Sequence, residues 1–183
     1  MALRSAIFLD RDGTINKKAP EGEYIRDPGD LELLPGAAKA VSRINKAGIP
    51  AILVTNQRWL SWPAADLDGY LAVQRELGRL LACHGAWLDA CYMCPHAADS
   101  CDCRKPAPGM LRRASADLGI DLSASIVIGD SPSDAAAGRA AGATTVLIDP
   151  RSGGEKANGT AHFTACDIGQ AVGCAIAIAR SIR

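Results

Sequence analysis

Short apolar runs alternate with amphipathic stretches along most of this chain. Ile7, Phe8 and Leu9 form a continuous apolar run that predicts a buried strand, and Ala51-Ile52-Leu53-Val54 predicts a second. Runs at 87–92, 125–129 and 144–148, with a shorter one at 161–164, predict four more. Between them the apolar positions take a helical period. Ala37, Ala40, Val41 and Ile44 follow an i, i+3, i+4, i+7 spacing after Pro35-Gly36, and Gly48 closes that helix. Residues 66–84 place Leu67, Tyr70, Val73, Leu77 and Leu80 on one face. Pro106, Pro108 and Gly109 open a helix with Met110, Leu111, Ala114 and Leu118 inward. A helix over 132–141, a Gly-rich link at 152–159 and a last helix complete the pattern. Asp167 caps that last helix, and Ile168, Val172, Ile176 and Ala179 face inward. This alternation predicts an α/β fold, a doubly wound and mainly parallel sheet in a single domain spanning 1–183.

Polar residues interrupt the pattern at the ends of strands, where open α/β sheets bind their ligands. Asp10, Arg11, Asp12, Gly13 and Thr14 follow the first strand. Carboxylates two residues apart can reach one site from different sides of a turn, because Gly13 lets the backbone bend sharply. One can then attack a phosphorus while the other delivers a proton to the leaving oxygen. Thr55-Asn56-Gln57 ends the second strand, where hydroxyl and amide groups can bind phosphoryl oxygens without adding charge; such residues also start ordinary turns. Asp130-Ser131-Pro132-Ser133-Asp134 follows the fourth strand. Phosphoryl transfer commonly uses Mg2+ held by one or two carboxylates, and Asp130 can join Asp10 and the backbone carbonyl of Asp12 in that role. Asp134 suits either support of those ligands or the positive end of a helix. The long polar loop 16–30 offers Lys17, Lys18 and Arg26 to an anionic substrate and Tyr24 to a pocket rim, although such charges also suit a solvated flap.

Cys94, His96, Cys101 and Cys103 form a C-x-H-x4-C-x-C cluster. Three thiolates and an imidazole complete the tetrahedral shell that zinc prefers, which points to a structural site with no position for water. Arg104-Lys105 follows the last ligand, so the metal would pin a loop that projects two long cations. Cys91 falls inside an apolar run and reads as strand packing. Cys83, Cys166 and Cys174 read as small core residues.

The 183 residues suffice for one domain with a proper core. Lys plus Arg equals Asp plus Glu at 20 each, which leaves no global field for nucleic acid or membrane. No apolar window has the length of a membrane span, and the run before the first charges is too short for a secretory signal. A cytoplasmic protein is expected, with reduced cysteines and a monomeric state. A phospho-accepting receiver module also gathers acids, a Thr and a Lys, but its acidic pair is separate from the phosphorylated Asp. A zinc-based nucleic-acid module would need a basic stripe.

The string FLDRDGTIN resembles the first motif of the haloacid dehalogenase (HAD) superfamily, in its histidinol-phosphatase and heptose-bisphosphate-phosphatase branch. Thr55, Lys105 and GDSxxD at 129–134 resemble the second, third and fourth motifs, in family order. The resemblance implies a capless HAD-like, Rossmann-like sheet with a small zinc loop at 94–103. It implies Asp10 as nucleophile, Asp12 as general acid and base, and Thr55 and Lys105 as catalytic partners. Mg2+ would be held by Asp10, Asp12 and Asp130, and Zn2+ by Cys94, His96, Cys101 and Cys103. Asn56, Gln57, Arg58, Arg104, Lys105 and Ser131 are the expected substrate contacts. The implied substrate is a small phosphorylated sugar, first D-glycero-D-manno-heptose 1,7-bisphosphate losing its 7-phosphate, with Arg104 near the retained phosphate. Histidinol phosphate is the alternative, and its cationic imidazole would favour an acidic lining. Two departures bear on the substrate: Arg58, Trp59 and Trp62 replace a small glycine-containing segment with a further Arg, and Ser131 stands where Lys is frequent.

Overall fold

Ile7 and Leu9 of β1 (Ile7–Leu9) enter one hydrophobic core and Phe8 enters another, as the two-residue period of a strand requires. The split continues in β2 (Ala51–Asn56) and β4 (Ile126–Gly129). Leu53, Ile126 and Ile128 join Ile7, whereas Ile52, Val54 and Val127 join Phe8. With β3 (Ala90–Cys94), β5 (Thr144–Ile148) and β6 (Phe163–Ala165), these strands form one six-stranded sheet in the order β3-β2-β1-β4-β5-β6. Every neighbouring pair is parallel. The computed structural model describes residues 4–151, 159 and 161–181. Most of the link at 152–159 and the first three residues, on which part of the leader reading rests, therefore lie outside the described residues.

A parallel sheet needs both faces covered, and five helices among the described residues cover them. α1 (Ala37–Lys46), α2 (Leu67–Ala82) and α5 (Ile168–Ser181) bury Val41, Leu77 and Val172 against the Ile7 face. α3 (Gly109–Leu118) and α4 (Pro132–Ala140) bury Leu111 and Ala137 against the Phe8 face. The chain runs outward from β1 to β3 and returns to β4 on the other side, so β1 and β4 flank the point where strand order reverses. A crevice forms there beyond the carboxyl ends of the strands. No domain is inserted near it. Between β1 and α1 the only regular element is the 3-10 turn Pro28–Asp30, and between β2 and β3 only the turn Arg58–Ser61 and α2. Among the described residues, no helix is long and apolar enough to cross a membrane.

The structure departs from the pattern at four places. β3 begins at Ala90, not 87, because the Asn45 side chain bonds both Trp87 N (3.0 Å) and Trp87 O (3.1 Å), leaving Trp87 54% exposed outside the sheet. Leu67, the first residue of α2, is 58% exposed, and the buried face runs through Tyr70, Val73, Leu77 and Leu81. The last strand is Phe163–Ala165 rather than 161–164. Cys83 and Cys166 are exposed rather than core residues, since they sit at the end of α2 and just before α5; Cys174 is partly buried against the first core.

Gly138 marks the closest approach of α4 to the sheet. A Cβ there would lie 2.4 Å from Thr145 Cγ2 and 3.0 Å from Val127 Cβ. Exposed Gly78 of α2 has nothing within 4 Å of the same position. Gly138→Ala is expected to destabilise by ~1–3 kcal/mol through overpacking. Gly78→Ala is expected to stabilise by about 0.5–1 kcal/mol through helix propensity. Urea midpoints of the two variants should move in opposite directions; a common direction would refute this packing of α4.

Candidate active site

Three acids leave the carboxyl ends of β1 and β4 and meet. Asp10 follows β1 directly, tied by its amide to Ile128 O at 3.0 Å, and Asp130 and Asp134 follow β4. Oxygen atoms of Asp10, Asp130 and Asp134 lie within 4.8 Å of one another. Gly13, at φ 89°, makes this approach possible, because a Cβ would stand 2.3 Å from Asp130 Oδ2 and 2.5 Å from Lys18 Cε.

Lys105 Nζ, with its side chain 4% exposed, bridges Asp10 Oδ1 and Asp134 Oδ1 at 2.6 Å each and donates to Val54 O at 2.9 Å. Lys18 Nζ reaches Asp130 Oδ2 at 2.5 Å. Burial pushes the Asp10 carboxyl up to about 7, assisted by the charges of Asp134 and Asp12 and opposed by Lys105. Burial likewise raises Asp130, against the pull of Lys18. Asp130 Oδ1 is buried with no hydrogen-bond partner among the described residues, the state of an oxygen that a cation would satisfy.

Asp12 is held apart from this cluster. Arg11, fully buried, donates from Nε and Nη2 to Oδ1 (3.1 and 3.0 Å) and from Nη2 to Oδ2 (3.0 Å). Asn16 Nδ2 donates to Oδ1 and Gln57 Nε2 to Oδ2, both at 2.9 Å. Thr55, 1% exposed, accepts from Gln57 Nε2 at 2.8 Å. Asp10, Asp12, Thr55, Lys105 and Asp130 line one cavity of about 280 Å3, whose far wall is the loop from Lys18 to Ile25.

The expected substrate contacts divide. Asn56 and Ser131 line this cavity. The amide of Asn56 clasps the backbone of Lys105 on both sides, Nδ2 donating to its carbonyl (3.0 Å) and Oδ1 accepting from its N–H (3.1 Å). Ser131 Oγ donates to Asp134 Oδ2 at 2.7 Å. Gln57 does not join them: it is 0% exposed, outside the cavity lining, and its carboxamide bonds Asp12 and Thr55 instead. Arg58 is exposed on its 3-10 turn and does not line the cavity. Arg104 does not line it either, since its Nη1 donates to His96 O at 3.1 Å. In loop 16–30, Lys18 and Tyr24 reach the cavity, whereas Lys17 pairs with Glu32 and does not line it, and Arg26 lies over Trp59 and Trp62. Asn16 and the bracing roles of Arg11 and Gln57 were not apparent from sequence; a charged residue wedged between two acids was the one signal for Arg11.

Cys94, His96, Cys101 and Cys103 converge beyond β3. Their contacts run from 3.2 Å (Cys103 to Cys94, Cys101 and His96 Nδ1) to 3.6 Å (Cys94 to Cys101). A zinc tetrahedron with Zn–S bonds of about 2.3 Å has edges of ~3.8 Å, so this donor set fits the metal with a small expansion. Cys91 stays outside the cluster on β3, accepting from Gln74 Nε2 at 3.0 Å. The loop also supports itself: Arg104 N donates to Cys101 Sγ at 3.3 Å, and Gly109 N donates to Asp102 O at 2.9 Å.

Comparison with known proteins adds a further finding. Residues 6–142 match the haloacid dehalogenase-like hydrolase family. A D-glycero-beta-D-manno-heptose-1,7-bisphosphate 7-phosphatase of Photorhabdus laumondii is 39% identical over 137 residues, 70% of this chain and 71% of that one. A D-glycero-D-manno-heptose-1,7-bisphosphate 7-phosphatase of Thermosynechococcus vestitus is 41% identical over 160 residues, 79% of each chain. Among solved structures, the D,D-heptose 1,7-bisphosphate phosphatase of B. bronchiseptica with magnesium and phosphate superposes at TM-score 0.82. It is 30% identical and covers 93% of this chain and 97% of its own.

Purified protein is expected to carry about one zinc ion per chain, measured by atomic emission. Cys103→Ser should lose that ion and lower Tm by several degrees, with phosphatase activity falling as the Arg104-Lys105 segment loosens. A metal-free protein with the full Tm would overturn the assignment of the four ligands.

Proposed function

The chain belongs to the haloacid dehalogenase-like hydrolase family and is a phosphatase, and on that premise we propose that it removes the 7-phosphate of D-glycero-D-manno-heptose 1,7-bisphosphate through an aspartyl-phosphate on Asp10. The observation that carries the proposal is the convergence of Asp10, Asp12, Thr55, Lys105 and Asp130 on one cavity. Relatives named for that substrate, 33–41% identical over most of their length, support the choice of sugar.

An oxygen of Asp10 attacks phosphorus in line as the bond to the sugar oxygen breaks, and Asp12 supplies that oxygen's proton. Water then attacks the same phosphorus and gives its proton to Asp12. The acyl-phosphate bond opens, releasing phosphate and restoring the Asp10 carboxylate. Lys105 and the Thr55 hydroxyl bind phosphoryl oxygens, and the buried ammonium of Lys105 keeps Asp10 ionised against its desolvation. Asp10, Asp130 and the backbone of Asp12 would hold Mg2+, with Asp134 within reach; when bound, the ion neutralises charge on the transferring phosphoryl group. Reduced cysteines gathered for zinc suit a cytoplasmic monomer.

One observation favours a second reading. Glu21 and Glu23 line the cavity and Arg104 is turned to His96, an arrangement hospitable to the cationic tail of histidinol phosphate. For the bisphosphate, Arg104 must exchange the His96 carbonyl for the retained phosphate.

A panel of heptose bisphosphate, heptose and hexose monophosphates and histidinol phosphate, compared by kcat/KM, decides between them. The bisphosphate is expected to lead by about tenfold or more. Asp10→Asn serves as control and should lose turnover at least about a thousandfold on every ester. Histidinol phosphate in the lead would reverse the choice of substrate, and an active Asp10→Asn would end the mechanism.

The raised Asp10 carboxyl gives Mg2+ binding a sign. Below about pH 7 a proton occupies a ligand that the ion needs, so affinity should fall toward ~tenfold per pH unit as acidity increases, with proton release on binding. Calorimetric titrations at pH 5.5, 6.5 and 8 check this; an affinity flat across that range would contradict it.

A further inference from the structure

The segment after Thr55-Asn56-Gln57 carries two tryptophans, Trp59 and Trp62, and one of them bonds the residue that braces Asp12. Trp59 is 1% exposed and its Nε1–H donates to Gln57 Oε1 at 2.9 Å. From the other end of the same carboxamide, Nε2 donates to Asp12 Oδ2 at 2.9 Å and to Thr55 Oγ1 at 2.8 Å. Gln57 is fully buried, so no solvent can substitute for any of these partners.

A carboxamide has two orientations that differ by exchange of its N and O atoms. An indole N–H is a donor only. Facing Trp59, the oxygen is attracted, whereas a flipped amide would oppose N–H to N–H. The same flip would set the carbonyl oxygen against the Asp12 carboxylate. Trp59 thereby selects the single orientation in which Gln57 can brace the proton donor. The ring face of the indole is occupied too: the Arg26 guanidinium lies over it, 5.2 Å from the Trp59 ring centroid and 4.9 Å from that of Trp62. Tyr24 meets Trp62 edge-on at 5.6 Å and lines the cavity.

We propose that Trp59 is a positioning residue for proton transfer, fixing the Gln57 amide so that Asp12 is aimed at the leaving oxygen. The inference rests on the phosphatase mechanism above and concerns a residue that makes no contact with the cavity. Its consequence is selective. An alkyl phosphate needs a proton on its departing oxygen, whereas 4-nitrophenyl phosphate departs as a stabilised phenolate and needs little help. The value of kcat/KM reports the steps up to formation of the aspartyl-phosphate, in which Asp12 acts as acid.

Trp59→Phe deletes the N–H and keeps a ring under Arg26. It is expected to lower kcat/KM for D-glycero-D-manno-heptose 1,7-bisphosphate by about tenfold and to leave that for 4-nitrophenyl phosphate within about twofold. Gln57→Met removes the brace itself and should lose more on the sugar ester than on 4-nitrophenyl phosphate, with some loss on both because Thr55 also loses its donor. If Trp59 acts through Gln57, the double variant is no slower than Gln57→Met alone. Equal losses on both esters, no loss on the sugar ester, or additive losses in the double variant would each overturn the proposal. If Trp59→Phe does not fold, Gln57→Met still decides: equal losses on both esters reject the brace. Wild-type protein inactive on both esters would remove the underlying mechanism instead, a result distinct from all of these.

Discussion

One buried ammonium holds the centre of this molecule together. Parallel strands β1 and β4 deliver Asp10, Asp130 and Asp134 to a common point with their oxygens within 4.8 Å of one another. At an effective dielectric of about 20, two like charges ~5 Å apart repel by roughly 3 kcal/mol, so three such acids could not remain ionised together. Lys105, bonded to Asp10 and Asp134 at 2.6 Å, is what lets the cluster stay partly charged, and the Asp10 carboxyl still rises to about 7. The arrangement is poorly suited to stability alone and well suited to a divalent cation. Stress of this kind is the usual signature of a site built for chemistry.

Lys105 must therefore be delivered from outside the sheet, and the chain does so without a helix or strand at that residue. Asn56, at the end of β2, clasps the Lys105 backbone through both its amide atoms. Two residues earlier, Cys103 joins the Cys/His cluster, whose first member is Cys94 at the end of β3. The loop is thus fixed at two strand ends, once by hydrogen bonds and once by a set of thiolates. A loop of this length has little apolar surface to bury. A metal held by the Cys/His cluster would supply the missing free energy locally, which would account for such a cluster standing beside the buried Lys105.

How far the sequence revealed this depends on what each residue's role requires. Strands and helices were legible because period two and period 3.6 are written in apolar positions, and the acids were legible because they break those periods at strand ends. The convergence of Cys94, His96, Cys101 and Cys103 was legible through their chemistry and spacing. Side-chain direction was not. Gln57 and Arg104 sit beside recognised motif residues, yet one turns inward to Asp12 and the other back to the His96 carbonyl. Neither orientation shows in the apolar period: Gln57 is held by Thr55 and Trp59 two residues away and by Asp12 across the fold, and Arg104 by a carbonyl eight residues back. Trp87 shows the same limit in the fold, where the Asn45 side chain on α1 holds its backbone out of the sheet and shortens β3.

The absence of an inserted domain places the burden of enclosure on the loop 16–30, and a loop alone has little to hold it in place. Ordering it costs backbone entropy that must be recovered from contacts. Here the contacts are aromatic: Arg26 rests on both tryptophans, Tyr24 meets Trp62 edge-on, and Lys18 ends in the carboxylate cluster. Cation–π contacts of this sort contribute about 0.5–2 kcal/mol each, enough to bias a short loop without locking it. Trp59 is shared between that loop and the Gln57 amide. The loop over the cavity and the brace on Asp12 therefore rest on one indole, so under the proposed mechanism altering the tryptophans would change the cavity wall and proton transfer together. On that reading, specificity and catalysis are not separable at Trp59.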